Sequence, residues 1–422
     1  MDGSRGAVMV LTLTLLALTG CSTSPDSSGR SESAGSRPAS GSPTATVIPD
    51  AAQAPLPSVA PAPPSAPRGT PLTVESFGAR GDGETDDTSA LQRAIDTGAA
   101  EGSEVRLAPD RTYVVSRSLL LPDGTHLSGS GPSSRLEFTW RFNDDEHDGF
   151  YLGNRDQVDD GNKDITLTDF AIVGAGSGLP AGLNELHHEP RVPAIRLRLV
   201  DRFRISGLDI GYAPGISIIH QGCSNGAIVG NRIHDSGRDG INGTWHIRNM
   251  HDILVSDNEI TRVGDDAIAV IGTPGDLANR DALPYDILIE DNVIRGWSGN
   301  PNGHLLGRGI LVMASRRVGV VGNVIQRTHS AGVLVAPSTR SFSLNPATKQ
   351  PWRSADVSIV DNEIRDAGQN FDGRGDPEES GRDGLLVKQA DRVWSVGNSI
   401  TNSYGKTVAF YDCRACVSGG EA

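Results

Sequence analysis

Ile253-Leu254-Val255-Ser256-Asp257-Asn258 and, 34 residues later, Ile287-Leu288-Ile289-Glu290-Asp291-Asn292 are the same short phrase written twice. Ile228-Val229-Gly230-Asn231, Val318-x-Val320-x-x-Asn323, Val357-x-Ile359-x-x-Asn362 and Val393-x-x-Val396-x-Asn398 repeat it. Period-two alternation of aliphatic residues marks a strand with one buried face. The asparagines are 27, 34, 31, 39 and 36 residues apart, so the length of the repeat varies while its kernel does not. A solenoid behaves this way, because each turn must match only its neighbours and is free to carry its own loop. Within such coils the asparagines are predicted to stack as a hydrogen-bonded ladder. Earlier copies, Ile165-x-Leu167 and Phe203-x-Ile205, place Phe170 and Leu208 at the asparagine position.

A second strand follows at a steady offset. Asp239, Asp266, Ala331 and Lys406 each lie eight residues after an asparagine, and Arg308 and Asp383 take the same place behind insertions. Gly240-Ile241, Ala267-Ile268, Gly309-Ile310, Gly332-Val333 and Gly384-Leu385 come next. At the other end, Thr73-Val-Glu-Ser-Phe77-Gly-Ala-Arg-Gly81-Asp-Gly83 precedes Asp86-Asp87-Thr88 and an amphipathic helix containing Leu91, Ala94 and Ile95. Asp86 or Asp87 suits its N-cap, where a carboxylate accepts free amide protons. This run resembles the N-terminal signature of the pectate-lyase superfamily. The resemblance covers nearly all of 71–422 and implies an all-β fold, a right-handed parallel β-helix whose open end is plugged by the helix. An unplugged end would be an exposed strand edge.

Residues 1–20 read as a signal peptide, with Arg5 before an apolar run too short to span a bilayer. Leu18-Thr19-Gly20-Cys21 resembles a bacterial lipobox, which implies lipidation of Cys21 and a protein exported and anchored to the outer face of the cell membrane. Residues 21–70 are mostly Ser, Pro, Ala and Gly. They bury too little apolar surface to offset ordering entropy, so a disordered tether is expected. Residues 71–422 form the β-helix domain, expected as a monomer. The formal charge of −14 is unchanged by removing 1–20, which deletes one Asp and one Arg. An acidic chain without a basic run is a poor nucleic-acid binder. Cys413 and Cys416 pair with each other or one of them pairs with Cys223; a zinc site needs more ligands than they supply.

The offset positions form one column, and coils about 4.8 Å apart would bring Asp239, Asp266 and the adjacent Asp265 to one groove. Carboxylates so close raise one another's proton affinity, giving a mixed acid and base set. Gly264-Asp265-Asp266 resembles the Gly-Asp-Asp motif of the polygalacturonase family, and Arg238-Asp239-Gly240 resembles its Asn-Thr-Asp-Gly. The resemblance implies that Asp265 is the general acid and that Asp239 with Asp266 activates water for inversion. Inverting enzymes hold their carboxyls roughly 6.5–9.5 Å apart, a spacing that splayed side chains on adjacent coils would meet. The family's Gly-His-Gly reads here Gly307-Arg308-Gly309, and its Arg-x-Lys is replaced by Leu334-Val335-Ala336, with Lys388 one coil too late. Lacking those cations, the site points to a neutral glycan.

Arg308, Trp245, His246, Asp383 and Lys388 are the candidate substrate-binding residues. His187, His188, Glu189 and the acidic run at 144–148 read as solvated loops. The leading function is an inverting polysaccharide hydrolase needing no cofactor or metal. A lyase with Arg308 as base and carboxylate-bound calcium is the alternative, and a non-catalytic glycan-binding solenoid the third. Cys21→Ser is expected to move the protein from the membrane fraction to the soluble fraction with its Tm unchanged. Retention at the wild-type level would remove the lipid anchor from the account.

Overall fold

The computed structural model describes residues 54–140, 149–176, 192–244, 248–272, 283–296, 307–338, 350–368 and 381–420, all within one compact unit, 45–422. Cys21, Trp245, His246, the histidines at 187 and 188, Glu189 and the run at 144–148 lie outside the described residues. Among the described residues, three parallel sheets of 12, 11 and 10 strands run from Leu72 to Gly419. Each coil gives one strand to each sheet in turn. Ser224–Val229 lies in the first sheet, Arg232–Ser236 in the second and Ile241–Thr244 in the third, after which His251–Ser256 lands beside Ser224–Val229. The fold is the expected all-β, right-handed parallel β-helix.

Like residues stack on like. Ile228, Val255, Ile289, Val320 and Ile359 are register partners along the first sheet, and all are at most 2% exposed. The turn from first to second sheet explains the asparagines. Gly230, Asp257, Asp291, Gly322, Asp361 and Gly397 precede them with φ between 53° and 69°. Only glycine and a few short polar residues enter that left-handed region cheaply. This bend carries each following asparagine inside. The backbone N–H and Nδ2 of Asn258 both donate to Oδ1 of Asn292, at 3.0 and 2.9 Å, and Asn292 repeats the pattern on Asn323. The ladder runs unbroken from Asn231 to Asn398. Leu208, which lacks the amide, still donates its backbone N–H to Asn231 Oδ1 at 3.0 Å.

The cap helix, Thr88–Glu101, buries Leu91, Ala94 and Ile95 against the first coils. Its capping is divided between two aspartates. Asp86 Oδ1 accepts the Thr88 N–H at 3.0 Å, while Asp87 turns back to accept from Arg80 and Gly81 at 2.7 and 2.9 Å. Cys413 and Cys416 form the disulfide, and Cys223 is a buried free thiol whose pKa burial pushes up to about 12. The expectation of a disordered tether across 21–70 needs correcting from residue 54 onward. That part lies against the first sheet, with Ser65 N–H on Asp164 at 2.9 Å and Ser358 Oγ–H on the Pro55 carbonyl at 2.7 Å.

Asn292→Ala would leave the Asn258 backbone N–H without its acceptor and take one partner each from Asn258 Nδ2 and the Val255 carbonyl inside the solenoid. Buried polar groups stripped of partners cost about 1–3 kcal/mol each. A loss of about 2–4 kcal/mol is therefore expected in urea unfolding, against under about 1 kcal/mol for exposed Glu259→Ala.

Candidate active site

Third-sheet register sets the column. Ile241, Ile268, Ile310, Val333, Leu385 and Val408 are successive partners. Counting back two residues from each places Asp239, Asp266, Arg308, Ala331, Asp383 and Lys406 on one line. All three sequence-derived aspartates meet at the corner between second and third sheets. One carboxylate oxygen from each of Asp239, Asp265 and Asp266 lies within 4.8 Å of the others.

Their partners differ. Asp266 is held at two points by Arg308, Nε to Oδ1 at 2.6 Å and Nη2 to Oδ2 at 2.9 Å, and its Oδ1 also takes the Arg308 backbone N–H at 3.2 Å. Asp239 Oδ2 accepts from Asn242, while its Oδ1 has no hydrogen-bond partner. Asp265 Oδ1 is likewise unbonded, 3.9 Å from Arg308, and Arg238 stands 3.8 Å from Asp265 Oδ2. Asp239 and Asp266 are 3% and 2% exposed. The Asp265 side chain keeps 15% exposure and, with Arg308, Arg295, Thr328 and His329, lines a cleft at this corner.

Burial pushes Asp239 up to about 6, with the neighbouring Asp266 adding to it. Burial and then Asp239 do the same to Asp265, also to about 6. Asp266 rises to about 6 through burial, with Arg308 pulling the other way. Burial lowers the Arg308 pKa, yet the three aspartates hold it above the ordinary arginine value. The two-point ion pair makes Asp266 the ionised member, and Asp239 and Asp265 are left to share a proton. That is a usable acid and base pair.

Asp383 and Lys388 are not part of this cluster. Asp383 stands three steps along the column from Asp266 and accepts the Lys406 backbone N–H at 2.6 Å, and Lys388 is the register partner of Tyr411. Asn242 and His329 were not read from the sequence. Asn242 sits one residue past the glycine-isoleucine pair, where the repeat shows aliphatic and small residues; His329 lies in a turn with no repeated pattern. Calcium takes six to eight oxygens. With Asp266 committed to Arg308, the trio offers only Asp239 and Asp265, a poor fit for that ion.

Residues 72–279, which hold all three aspartates, match the family model described as rhamnogalacturonase A/epimerase, pectate lyase-like. A preneck appendage protein of Bacillus phage PZA is 33% identical over 27% of this chain, and the match spans 12% of that protein. Across the first three curated relatives the chain spans 12–21% of their length. The A-module of a mannuronan C-5 epimerase from Azotobacter vinelandii superposes with a TM-score of 0.53 at 19% identity, over 83% of this chain and 96% of that one. An exopolygalacturonase from Thermotoga maritima gives 0.53 at 14% identity, over 85% and 94%. At such identities these two matches show the fold.

A buried carboxyl whose pKa is raised on folding binds protons more tightly folded than unfolded. Its destabilising effect is absent below the ordinary value near 4, grows as pH rises to about 6, and is complete above it. Asp239→Asn removes that effect and still offers an oxygen to Asn242. The variant is expected to be more stable than wild type at pH 8 by on the order of 1 kcal/mol. The gain should vanish at pH 3.5, as read by thermal melts across the range; a gain independent of pH would contradict the burial argument.

Proposed function

We propose that this protein is a polysaccharide hydrolase, carried outside the cell on a lipid at Cys21, that cleaves glycosidic bonds at the corner between its second and third sheets. The observation that carries the reading is the trio of aspartates, all raised to about 6, of which Asp239 and Asp265 each keep an unbonded oxygen. Glycoside hydrolysis needs one carboxylic acid to protonate the leaving oxygen and one carboxylate to activate water or attack carbon. Asp265, the member with access to the cleft, is the acid. Asp239 is the base. Asp266 and Arg308 form a fixed pair that cancels one charge, so the remaining two carboxyls share a proton near pH 6.

Inversion requires a water between acid and base. One oxygen of Asp265 and one of Asp239 lie within 4.8 Å of each other, a span that a water hydrogen-bonded to both can bridge. The lyase alternative is weaker on this geometry. An arginine locked to Asp266 and raised above its ordinary value is a poor proton acceptor.

The test is a screen of neutral and acidic glycans, with reducing-end release measured for wild type and Asp265→Asn. Wild type should release reducing ends without unsaturated products, with inverted anomeric configuration by proton NMR and a bell-shaped kcat/KM profile centred near pH 6. Asp265→Asn should lose roughly 10²–10⁴ in rate. Unsaturated products, or full activity in Asp265→Asn, would overturn the proposal.

A further inference from the structure

Residues 55–69 hold prolines at 55, 57, 61, 63, 64 and 67. Proline fixes φ near the polyproline II value, an extended helix without internal hydrogen bonds. Such a segment owes its position to what it touches, and its contacts march along the solenoid. Pro55 takes the Ser358 hydroxyl at 2.7 Å. Pro57 lies so close to Gly319 that a Cβ there would come within 3.1 Å of its ring. Ala62 N–H reaches Asn225 Oδ1 at 3.3 Å, and Ser65 N–H reaches Asp164 at 2.9 Å. Arg68 and Gly69 donate to the Gly102 carbonyl at 2.8 and 2.9 Å, beside the strand Glu104–Arg106.

The spacing is commensurate. From the strand Ser354–Val360 to Glu104–Arg106 the first sheet takes eight steps, about 38 Å at the usual strand separation. Fourteen residues of polyproline II reach about 43 Å. Three residues therefore advance about as far as two coils do, and the segment meets successive coils without stretching or looping out.

The surface beneath it is shaped for cover. Ala227, Leu254, Leu288, Gly319, Ser358 and Trp394 form one outward-facing column of the first sheet. An outward column of a parallel coil ordinarily meets water and carries charge. From Ala227 to Trp394 this one carries no charge, with Ser358 at 0% and Ala227 at 9% exposure, and Arg204 continues it toward the capped end. On the segment's side, Ala54, Pro57, Val59, Pro61 and Pro64 are half-buried while their neighbours are exposed, close to the three-residue period of polyproline II.

We propose that the outer face of the first sheet is a docking surface for a polyproline strand, that its occupant is residues 55–69 of this same chain, and that this axial strap ties the coils together. The strap runs against the direction of coil growth. Its first residue, Pro55, therefore sits beside the coil of Ser358, far from the capping helix. The strap also closes the first sheet to any glycan.

Disulfide trapping in the full-length chain tests it. Pro55→Cys with Ser358→Cys should close under mild oxidation, and peptide mapping should find that link in most molecules. Pro55→Cys with Thr166→Cys, six strands away, should not close. Deleting 55–67 should lower Tm by several degrees and speed amide exchange in the strands His251–Ser256 and Tyr285–Glu290 at least tenfold. Equal trapping of the two pairs would overturn the docking register. Unchanged melting and exchange in a folded deletion variant would overturn the strap's role in holding the coils.

Discussion

A carboxamide oxygen that receives two hydrogens from the coil before it is the interaction on which this molecule rests. Each asparagine from 258 to 398 accepts at its oxygen two hydrogens from the coil before it, and each from 231 to 362 donates its backbone N–H and Nδ2 to the oxygen in the coil after it. Main-chain pairing alone permits a strand to slip along its neighbour. A buried carboxamide does not, since a slip would strand several polar groups in an apolar interior. The ladder therefore locks the axial register. Once register is locked, a side chain's neighbours above and below follow from its position within the coil, and any function on the surface must be written as a column.

The aspartates exploit that rule and strain against it. Consecutive coils place Asp239 and Asp266 one strand step apart, closer than two buried charges tolerate. Two features offset the conflict. Arg308, next in the same column, neutralises Asp266 through a planar two-point contact. Burial first, and the remaining repulsion second, favour the protonated acids and push Asp239 and Asp265 up to about 6. The same burial that weakens the fold at neutral pH keeps a carboxylic acid available for proton donation. Stability and chemistry draw on one arrangement in opposite directions.

The repeat was legible because its requirements are local. A left-handed residue, an asparagine and, two residues on, an isoleucine recur in six coils, so counting recovers them. Convergence was legible only for adjacent coils. Asp383 and Lys388 occupy meaningful positions, but a column position says nothing of axial distance, and three intervening steps separate Asp383 from Asp266. Asn242 escaped because its position is filled by Ile219 and Ala269 in the neighbouring coils, and a single polar exception carries no period. The Pro-rich segment was misread for a physical reason. Low hydrophobicity argues against a self-sufficient core, yet a polyproline strand needs no core of its own when a matching surface already exists.

The faces of the solenoid are consequently divided. The first sheet lies under residues 55–69, and the corner from first to second sheet is filled by the asparagine ladder. Connections from second to third sheet are free to differ. That between Ser236 and Ile241 is short, whereas those between Arg295 and Ile310 and between Arg365 and Leu385 are long. Variable connections demand a corner where nothing inside dictates the turn, and this is the corner that carries the aspartates. A ladder of asparagines there would forbid the insertions, and insertions at the ladder would break the register. Placing the ladder at one corner and the variable connections at the next lets insertions vary in length without disturbing the stack that holds Asp239, Asp265 and Asp266 together.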